Sequence, residues 1–153
     1  MVASGGVVTY YPVFLDLRDR PVVVIGGGRV ATRKVAGLVE AGARVRVIAP
    51  RVGPELEADA IERRRYRKGD LKGAVLAFAA TDDRRVNQAV AAEARRRGIP
   101  VNVADSVQEC TFLAPARLRK GEIQIAISTS GSSPRLAAEL RRKLERELGR
   151  SSQ

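Results

Sequence analysis

The chain has 153 residues, 44% of them hydrophobic, which suits one main domain with a small appendage. One cysteine and no histidine exclude an internal disulfide, a multi-cysteine metal site and histidine-based acid–base catalysis. The net charge of +11 fits either a solvated Arg-rich surface or an anionic partner, and scattered basic runs with few aromatics between them favour a polyanionic small molecule over nucleic acid.

The chain begins with a small, weakly apolar stretch over 1–9 that lacks the charged start of a signal peptide. No apolar stretch approaches the roughly 20 residues that a membrane-spanning helix needs. The sequence therefore predicts a cytoplasmic protein with no membrane partner.

Strands and helices alternate in the first half of the predicted structure. A strand buried on both faces is predicted over 22–25, a helix over 30–41 and an alternating, β-branched strand over 44–49. A weak, very basic strand over 61–66 is expected at a sheet edge, and a buried strand follows over 75–79. A strand, a turn, a helix and a second strand in this order form a right-handed parallel unit, which predicts an α/β fold with a Rossmann-like parallel sheet.

A second helix is predicted to start at Thr81-Asp82-Asp83, because acidic groups are favourable at the positive end of a helix. It is expected to run to about Arg97 and to end at Gly98. The next strand, over 100–103, delivers Asp105 just beyond its end, where ligands bind in open α/β sheets.

The pattern changes after Asp105. Two strands are predicted over 111–114 and 123–128, followed by a helix over 134–148 with Ser133 and Pro134 as its N-cap and first residue. That helix carries a leucine at every fourth position (Leu136, Leu140, Leu144 and Leu148), which favours a subunit interface over ordinary core. The sequence thus predicts a Rossmann domain over 1–109 and a small α+β dimerisation region over 110–153.

The turn after the first strand, Gly26-x-Gly28-x-x-Ala31, matches the dinucleotide-binding fingerprint. The first glycine permits a tight turn, the second lets the backbone approach a diphosphate, and the small third residue allows close helix packing. The alternative is a glycine-rich turn that only packs. The preceding strand, the following helix and the second strand favour a cofactor site that includes Gly27.

The second strand ends in Ala49-Pro50-Arg51, without the acidic residue that usually binds the ribose hydroxyls. Arg51 could favour the 2′-phosphate of NADP. Alternatively, backbone groups hold the ribose and the cofactor is NAD. The residues alone leave both interpretations open.

Four blocks in chain order carry a resemblance to a known family: YYPVFLDLRDRPVVVIGGGRVATRKVAGLVEAGARVRVIAP, AATDDRRVNQAV, VNVADSVQECTFLAPA and ISTSGSSP. They span about 11–148 and resemble the precorrin-2 dehydrogenases, which include the amino-terminal part of siroheme synthase. The resemblance implies a homodimeric, NAD-dependent enzyme that oxidises precorrin-2 to sirohydrochlorin. Some members also insert ferrous iron as a chelation substrate. The anionic tetrapyrrole substrate suits the basic composition.

The resemblance places the catalytic aspartate in the N-V-x-D block, at Asp105, which is also the candidate metal residue. The family's cofactor contacts fall on Arg29, Val30, Pro50 and Arg51. From position alone, Asp105 could accept a proton, steer a metal ion or cap local N–H groups.

Further candidates follow the strand ends. Thr81 could contact the nicotinamide side of the cofactor, although helix capping is the simpler explanation. Asn102 could orient the substrate or serve only a turn. The hydroxyls of Ser128, Thr129 and Ser130 lie in a polar loop before a helix, a reasonable place for substrate carboxylates.

Two competing functions remain at this stage. A non-catalytic NAD-sensing domain would bind NAD but leave precorrin-2 unoxidised, and a nucleic-acid binder is suggested by charge alone. The choice between iron and cobalt is open. Members of the family usually continue into a further helical segment, whereas the printed sequence stops at Gln153.

Overall fold

The structure is a computed structural model that describes residues 8–150. Residues 1–7, on which most of the signal-peptide argument rests, and 151–153 lie outside the described residues. Two compact units are present: Phe14–Phe112 form one, and the described ranges 8–13 and 113–150 form the other. Within the described part of the chain, none of the helices combines the length and apolar character that crossing a bilayer requires.

The larger unit is a five-stranded parallel sheet with helices, as predicted. Its elements in chain order are β1 (Pro21–Ile25), α1 (Arg29–Glu40), β2 (Arg44–Ile48), β3 (Ala60–Glu62), β4 (Leu76–Ala79), α2 (Arg84–Arg97) and β5 (Val101–Val103). The strand order is β3-β2-β1-β4-β5, and every neighbouring pair is parallel. The chain therefore moves outward from β1 to β3 and then returns to the other side of β1. A ligand crevice is expected where the order reverses, beyond the carboxyl ends of β1 and β4.

Both faces of β1 are buried, which explains its uninterrupted apolar sequence. Val22 and Val24 belong to one core cluster with Ala31 and Val35 of α1. Val23 and Ile25 belong to a second cluster, together with Val90, Ala91 and Ala94 of α2. The larger unit therefore has three layers, with the sheet between α1 and α2, and the carboxyl ends of its parallel strands lie along one edge.

The N-cap of α2 lies within the predicted start segment, and the helix itself begins at Arg84. Asp83 is the N-cap, because its carboxylate accepts a hydrogen bond of 2.9 Å from the Arg85 N–H. Gly98 ends the helix as expected, in the left-handed conformation at φ 66°.

The edge strand β3 ends at Glu62 and is shorter than the predicted strand over 61–66. Tyr66 instead lies in the following loop, where its hydroxyl donates to the buried carboxylate of Glu93 on α2. The Gly69 N–H also donates to Glu93, at 3.0 Å, and Arg97 forms an ion pair with it at 2.7 Å. Burial alone would raise the pKa of Glu93, but these hydrogen bonds offset it and hold the pKa below its ordinary value.

The smaller unit contains a hairpin and a helix. β6 (Ala116–Lys120) pairs antiparallel with β7 (Ile123–Ile127), and α3 spans Pro134–Arg150. Ser133 caps α3 as predicted, since its hydroxyl accepts the Leu136 N–H at 3.2 Å.

The predicted strand over 111–114 is wrong. Thr111 belongs to the larger unit and lies beside β5, where its N–H donates to the Val101 carbonyl at 2.9 Å. The Val101 N–H donates in turn to the Thr111 hydroxyl, at 2.8 Å. One backbone bond and one side-chain bond do not make a strand ladder, so the segment stays irregular.

Candidate functional site

Two glycines of the turn after β1 are required by packing. Gly26 has a φ of 127°, and a Cβ there would lie 2.2 Å from the Ala80 carbonyl oxygen. A Cβ on Gly27 would lie 2.1 Å from the Arg51 carbonyl oxygen. The segments that follow β2 and β4 therefore press against the turn, and only glycine allows this approach.

Gly28 differs from its two neighbours. Its φ is −85°, which any residue can adopt, and among residues 8–150 no heavy atom outside its chain neighbours lies within 4 Å of the position that a Cβ would take. Protein packing therefore does not explain this glycine. The space beside it lies at the point where the fingerprint brings a diphosphate close to the backbone.

The N-terminus of α1 is uncapped. Gly28 is its N-cap, no side chain in the described part of the chain accepts a hydrogen bond from the first turn, and no acidic residue lies in that turn. The first N–H groups of a helix have no intrahelical partner, and the helix dipole adds positive potential. The exposed side chain of Arg29, the first helical residue, adds a full positive charge. These residues fit the diphosphate of a dinucleotide.

The loop after β2 lies directly against the glycine turn. The Gly53 N–H donates to the Gly27 carbonyl at 2.8 Å. Pro50 and Arg51 are exposed on this loop, and no carboxylate lies between Ala49 and Gly53. The structure thus brings the four residues expected to contact the cofactor, Arg29, Val30, Pro50 and Arg51, to one edge of the sheet.

Thr81 follows β4 at the same edge, but its polar groups are engaged locally. Its N–H donates to the side-chain oxygen of Asn87 at 3.1 Å, and its hydroxyl lies 2.7 Å from the same oxygen. The Asn87 amide donates to the Thr81 carbonyl at 3.1 Å, and Asn87 is fully buried. Thr81 does not cap α2, because Asp83 is the N-cap, and the Thr81 hydroxyl instead bonds to Asn87 and to the Asp83 backbone. The sequence analysis missed Asn87, for which an amide side chain on the apolar face of a helix was the available signal.

Asp105 lies just beyond β5, where the Ala104 N–H donates to the Ala79 carbonyl at 2.9 Å. Its side chain is 38% exposed and forms a 3.0 Å ion pair with Arg84, the first residue of α2. The other terminal nitrogen of Arg84 contacts the carboxylate of Glu109. The hydrogen bond to Glu109, followed by the charge of Asp105, raises the pKa of Arg84 above its ordinary value. Sequence reasoning did not identify Arg84 or Glu109.

Asn102 lies within β5 and is buried, with its side chain fully engaged. Its side-chain oxygen accepts a 2.9 Å hydrogen bond from the Lys34 ammonium, and its amide donates to the Phe112 carbonyl at 3.2 Å. Burial lowers the pKa of Lys34, whose ammonium also lies 5.4 Å from the centre of the Phe78 ring. These bonds connect α1, β5 and the segment before Leu113. Asn102 therefore helps to hold these three segments together next to the candidate site.

Comparison with known proteins agrees with this geometry. A family model described as putative NAD(P)-binding matches residues 13–116, and a model described as sirohaem biosynthesis protein central matches residues 120–147. Among solved structures, SirC, a precorrin-2 dehydrogenase, is similar with a TM-score of 0.75 and 32% identity, over 90% of this chain and 71% of that chain. The chain belongs to the precorrin-2 dehydrogenase family.

Curated relatives of this family member include siroheme synthases. The protein from Methylobacillus flagellatus is 44% identical over 140 residues, and that from Methylococcus capsulatus is 47% identical over 142 residues. These matches cover 88% and 89% of this chain but 30% of each relative. The chain therefore spans less than a third of the length of the siroheme synthases that it matches.

In this member of the precorrin-2 dehydrogenase family, the three hydroxyl residues expected to contact substrate lie between β7 and α3. The Thr129 hydroxyl donates to the Ser133 carbonyl at 3.0 Å and accepts the Ser133 N–H at 3.0 Å. The Ser128 hydroxyl accepts the Ser130 N–H at 3.1 Å. These bonds shape the loop that starts α3, and the substrate role of the three residues stays a prediction.

The metal role of Asp105 also stays a prediction. Among residues 8–150, no group of three or more His, Cys, Asp or Glu residues is arranged to hold a metal ion. Glu109 and Asp105 approach the same guanidinium, so the positive partner at this position is Arg84.

Proposed function

We propose that this chain is an NAD-dependent dehydrogenase that oxidises precorrin-2 to sirohydrochlorin in siroheme biosynthesis. The observation that carries the proposal is the uncapped N-terminus of α1, open beside Gly28, at the same sheet edge as the carboxylate of Asp105. Membership of the precorrin-2 dehydrogenase family and the likeness to SirC support the choice of reaction.

The cofactor site uses the backbone and few side chains. The N–H groups from Gly28 to Val30 would hold the diphosphate, and Pro50 and Arg51 would contact the cofactor from the loop after β2. Gly26 and Gly27 keep the turn close to its neighbours. Thr81 would contact the nicotinamide side of the cofactor, and its hydrogen bond to Asn87 fixes the chain there. NAD, when bound, accepts a hydride from the substrate.

Asp105 is proposed to accept a proton from the substrate while the hydride leaves. Its position beyond β5 and its partly exposed side chain support this role, because a general base must reach the ligand. The anionic substrate also suits the net charge of +11. Asn102 supports the loop that carries Asp105, and Ser128, Thr129 and Ser130 are proposed to bind substrate carboxylates.

The decisive experiment is anaerobic incubation with precorrin-2 and either NAD or NADP, followed by the absorbance of sirohydrochlorin and of reduced cofactor. We expect turnover with NAD, and loss of about a hundredfold in kcat for Asp105→Ala with unchanged NAD affinity. Asp82→Ala is the matched control, since this carboxylate lies before α2. A protein that binds NAD and leaves precorrin-2 unoxidised is instead a sensing domain.

We propose insertion of ferrous iron into sirohydrochlorin as a second activity, with Asp105 accepting the protons that the pyrroles lose. The exposed carboxylate at the sheet edge supports the proposal. Adding ferrous or cobalt ion to the completed dehydrogenase reaction tests it, because metallation changes the absorbance of the tetrapyrrole. If wild-type protein and Asp105→Ala insert the metal at equal rates, Asp105 does not accept the pyrrole protons.

A homodimer built on α3 completes the proposal. Leu136, Leu140 and Leu144 are 46%, 39% and 37% exposed, although they form one apolar stripe. A second copy of the chain would remove that stripe from water. Light scattering at micromolar concentration tests the assembly, and a monomer would refute it. The cytoplasmic location stays a prediction.

A further inference from the structure

We propose that Arg84 is a positioning residue that holds Asp105 in the free protein and transfers wholly to Glu109 when Asp105 engages the substrate. The catalytic consequence rests on the proposed function, whereas the transfer itself concerns only side chains of the larger unit. Arg84 would thus keep Asp105 in place until a ligand draws the carboxylate away.

The first arrangement is the one observed. The Arg84 guanidinium divides its terminal nitrogens between two carboxylates, with one nitrogen 3.0 Å from Asp105 and the other in contact with Glu109. The Arg84 and Asp105 side chains are 40% and 38% exposed. An ion pair this exposed contributes little free energy, so Asp105 can leave it at low cost.

In the second arrangement, Arg84 would also bind the Oε2 atom of Glu109. The Oε2 atom of Glu109 is buried and has no hydrogen-bond partner among the described residues, because Arg84 contacts Oε1 alone. A buried carboxylate oxygen without a donor is unfavourable. If the guanidinium turned its second nitrogen from Asp105 to Oε2, it would form the bidentate pair that arginine and carboxylate prefer.

Glu109 is the fixed partner of the two. It ends a 3-10 turn over Val107–Glu109, its N–H donates to the Ser106 carbonyl at 3.3 Å, and its carbonyl accepts a 3.0 Å bond from Arg95. Its side chain is 22% exposed, against 38% for Asp105. Asp105 is therefore the carboxylate that moves, and Glu109 is the one that receives Arg84.

A crystal structure of Asp105→Ala tests the transfer without any turnover. We expect each of the two carboxylate oxygens of Glu109 to lie within hydrogen-bond distance of one terminal nitrogen of Arg84. A guanidinium that keeps Oε1 alone, or that turns into solvent, overturns the proposal. This result does not depend on the reaction, so it remains decisive if the protein proves not to oxidise precorrin-2.

The kinetic test is a double-mutant cycle. In Glu109→Gln the Oε2 acceptor becomes a donor, so Arg84 has no second acceptor and stays on Asp105. We expect kcat for precorrin-2 oxidation to fall about threefold with KM little changed, because the exposed Arg84–Asp105 ion pair is weak, and addition of Arg84→Gln to recover most of that loss. A purely structural role for Glu109 would not be rescued by removing its partner.

Arg95→Gln is the matched control, because Arg95 bonds to the carbonyl of Glu109 and not to either carboxylate. Adding it to Glu109→Gln should give no recovery. The proposal is refuted if Arg84→Gln and Arg95→Gln restore kcat equally in the Glu109→Gln background. It is also refuted if Glu109→Gln has the same kcat as wild type. If Glu109→Gln fails to fold by thermal melting, Glu109→Asp replaces it, since the shorter side chain withdraws the second oxygen.

Discussion

Replacement of Gly28 by alanine should separate cofactor binding from stability, because the three glycines of the turn meet different surroundings. A methyl group at Gly28 would have no atom of the described residues within 4 Å beyond its chain neighbours, and it needs no change of φ. Alanine restricts the unfolded chain, which stabilises by about 0.4–1 kcal/mol, but is a poorer N-cap than glycine by a similar amount. We therefore expect the free energy of unfolding to change by less than about 1 kcal/mol.

The same methyl group projects into the space assigned to the diphosphate. We expect the Kd for NAD to rise at least about a hundredfold, equivalent to about 2.7 kcal/mol of lost binding free energy. Gly26→Ala is the contrasting variant. Its methyl group would lie 2.2 Å from a backbone oxygen at a φ of 127°, so backbone strain and overpacking should destabilise the fold by about 3 kcal/mol or more.

Calorimetric titration with NAD and chemical denaturation of the two variants measure both quantities. The reasoning fails if Gly28→Ala binds NAD as tightly as wild type, because the diphosphate then does not approach this backbone. It also fails if Gly26→Ala is as stable as Gly28→Ala, because the turn is then not pressed against the segment after β4.

Three further predictions concern other parts of the molecule. Burial lowers the pKa of Lys34 below 10.5, so the unfolded chain binds more protons there. The stability of wild type relative to Lys34→Met should rise as pH increases towards 10.5, and a pH-independent difference in urea unfolding would contradict this. The pKa of Glu93 is lowered, so its contribution is present above the unfolded value near 4.5 and lost as pH falls below it. Glu93→Gln should cost about 3 kcal/mol at pH 7 and less in acid, as measured by thermal melting against Glu139→Gln on an exposed helix face. Leu140→Glu should shift the assembly to monomer in light scattering, whereas Glu139→Gln should not.

Local sequence patterns were sufficient to predict the central strand of the sheet, β1. The apolar run of β1 is bounded by Pro21 and Gly26, and both its start and its end agree with the prediction to within one residue. The tight turn at Gly26 could also be predicted, because the fingerprint encodes the steric needs of nearby backbone, whereas the cofactor role of the turn stays a prediction. The sequence did not show which neighbouring backbone requires glycine at positions 26 and 27. Nor did it show that the space beside Gly28 is open.

Contacts between distant residues could not be predicted. Arg84 and Asp105 are 21 positions apart, and Lys34 and Asn102 are 68 apart, so no periodicity connects either pair. The hairpin strand β6 was missed because three of its five residues are charged, which hides its alternation. A strand was predicted from Thr111 onward. In the structure, the Thr111 hydroxyl accepts a hydrogen bond from the Val101 N–H of β5, and no backbone ladder forms there.

The contact between Gly27 and the backbone of Arg51 restricts how cofactor preference could be redesigned. The Gly53 N–H bonded to the Gly27 carbonyl ties the two loops together, so lengthening or shortening the segment after β2 would disturb the turn itself. In the proposed cofactor site, the exposed side chain at position 51 is therefore the position to change in order to alter the preference between NAD and NADP. A carboxylate introduced there would repel a 2′-phosphate without moving the main chain.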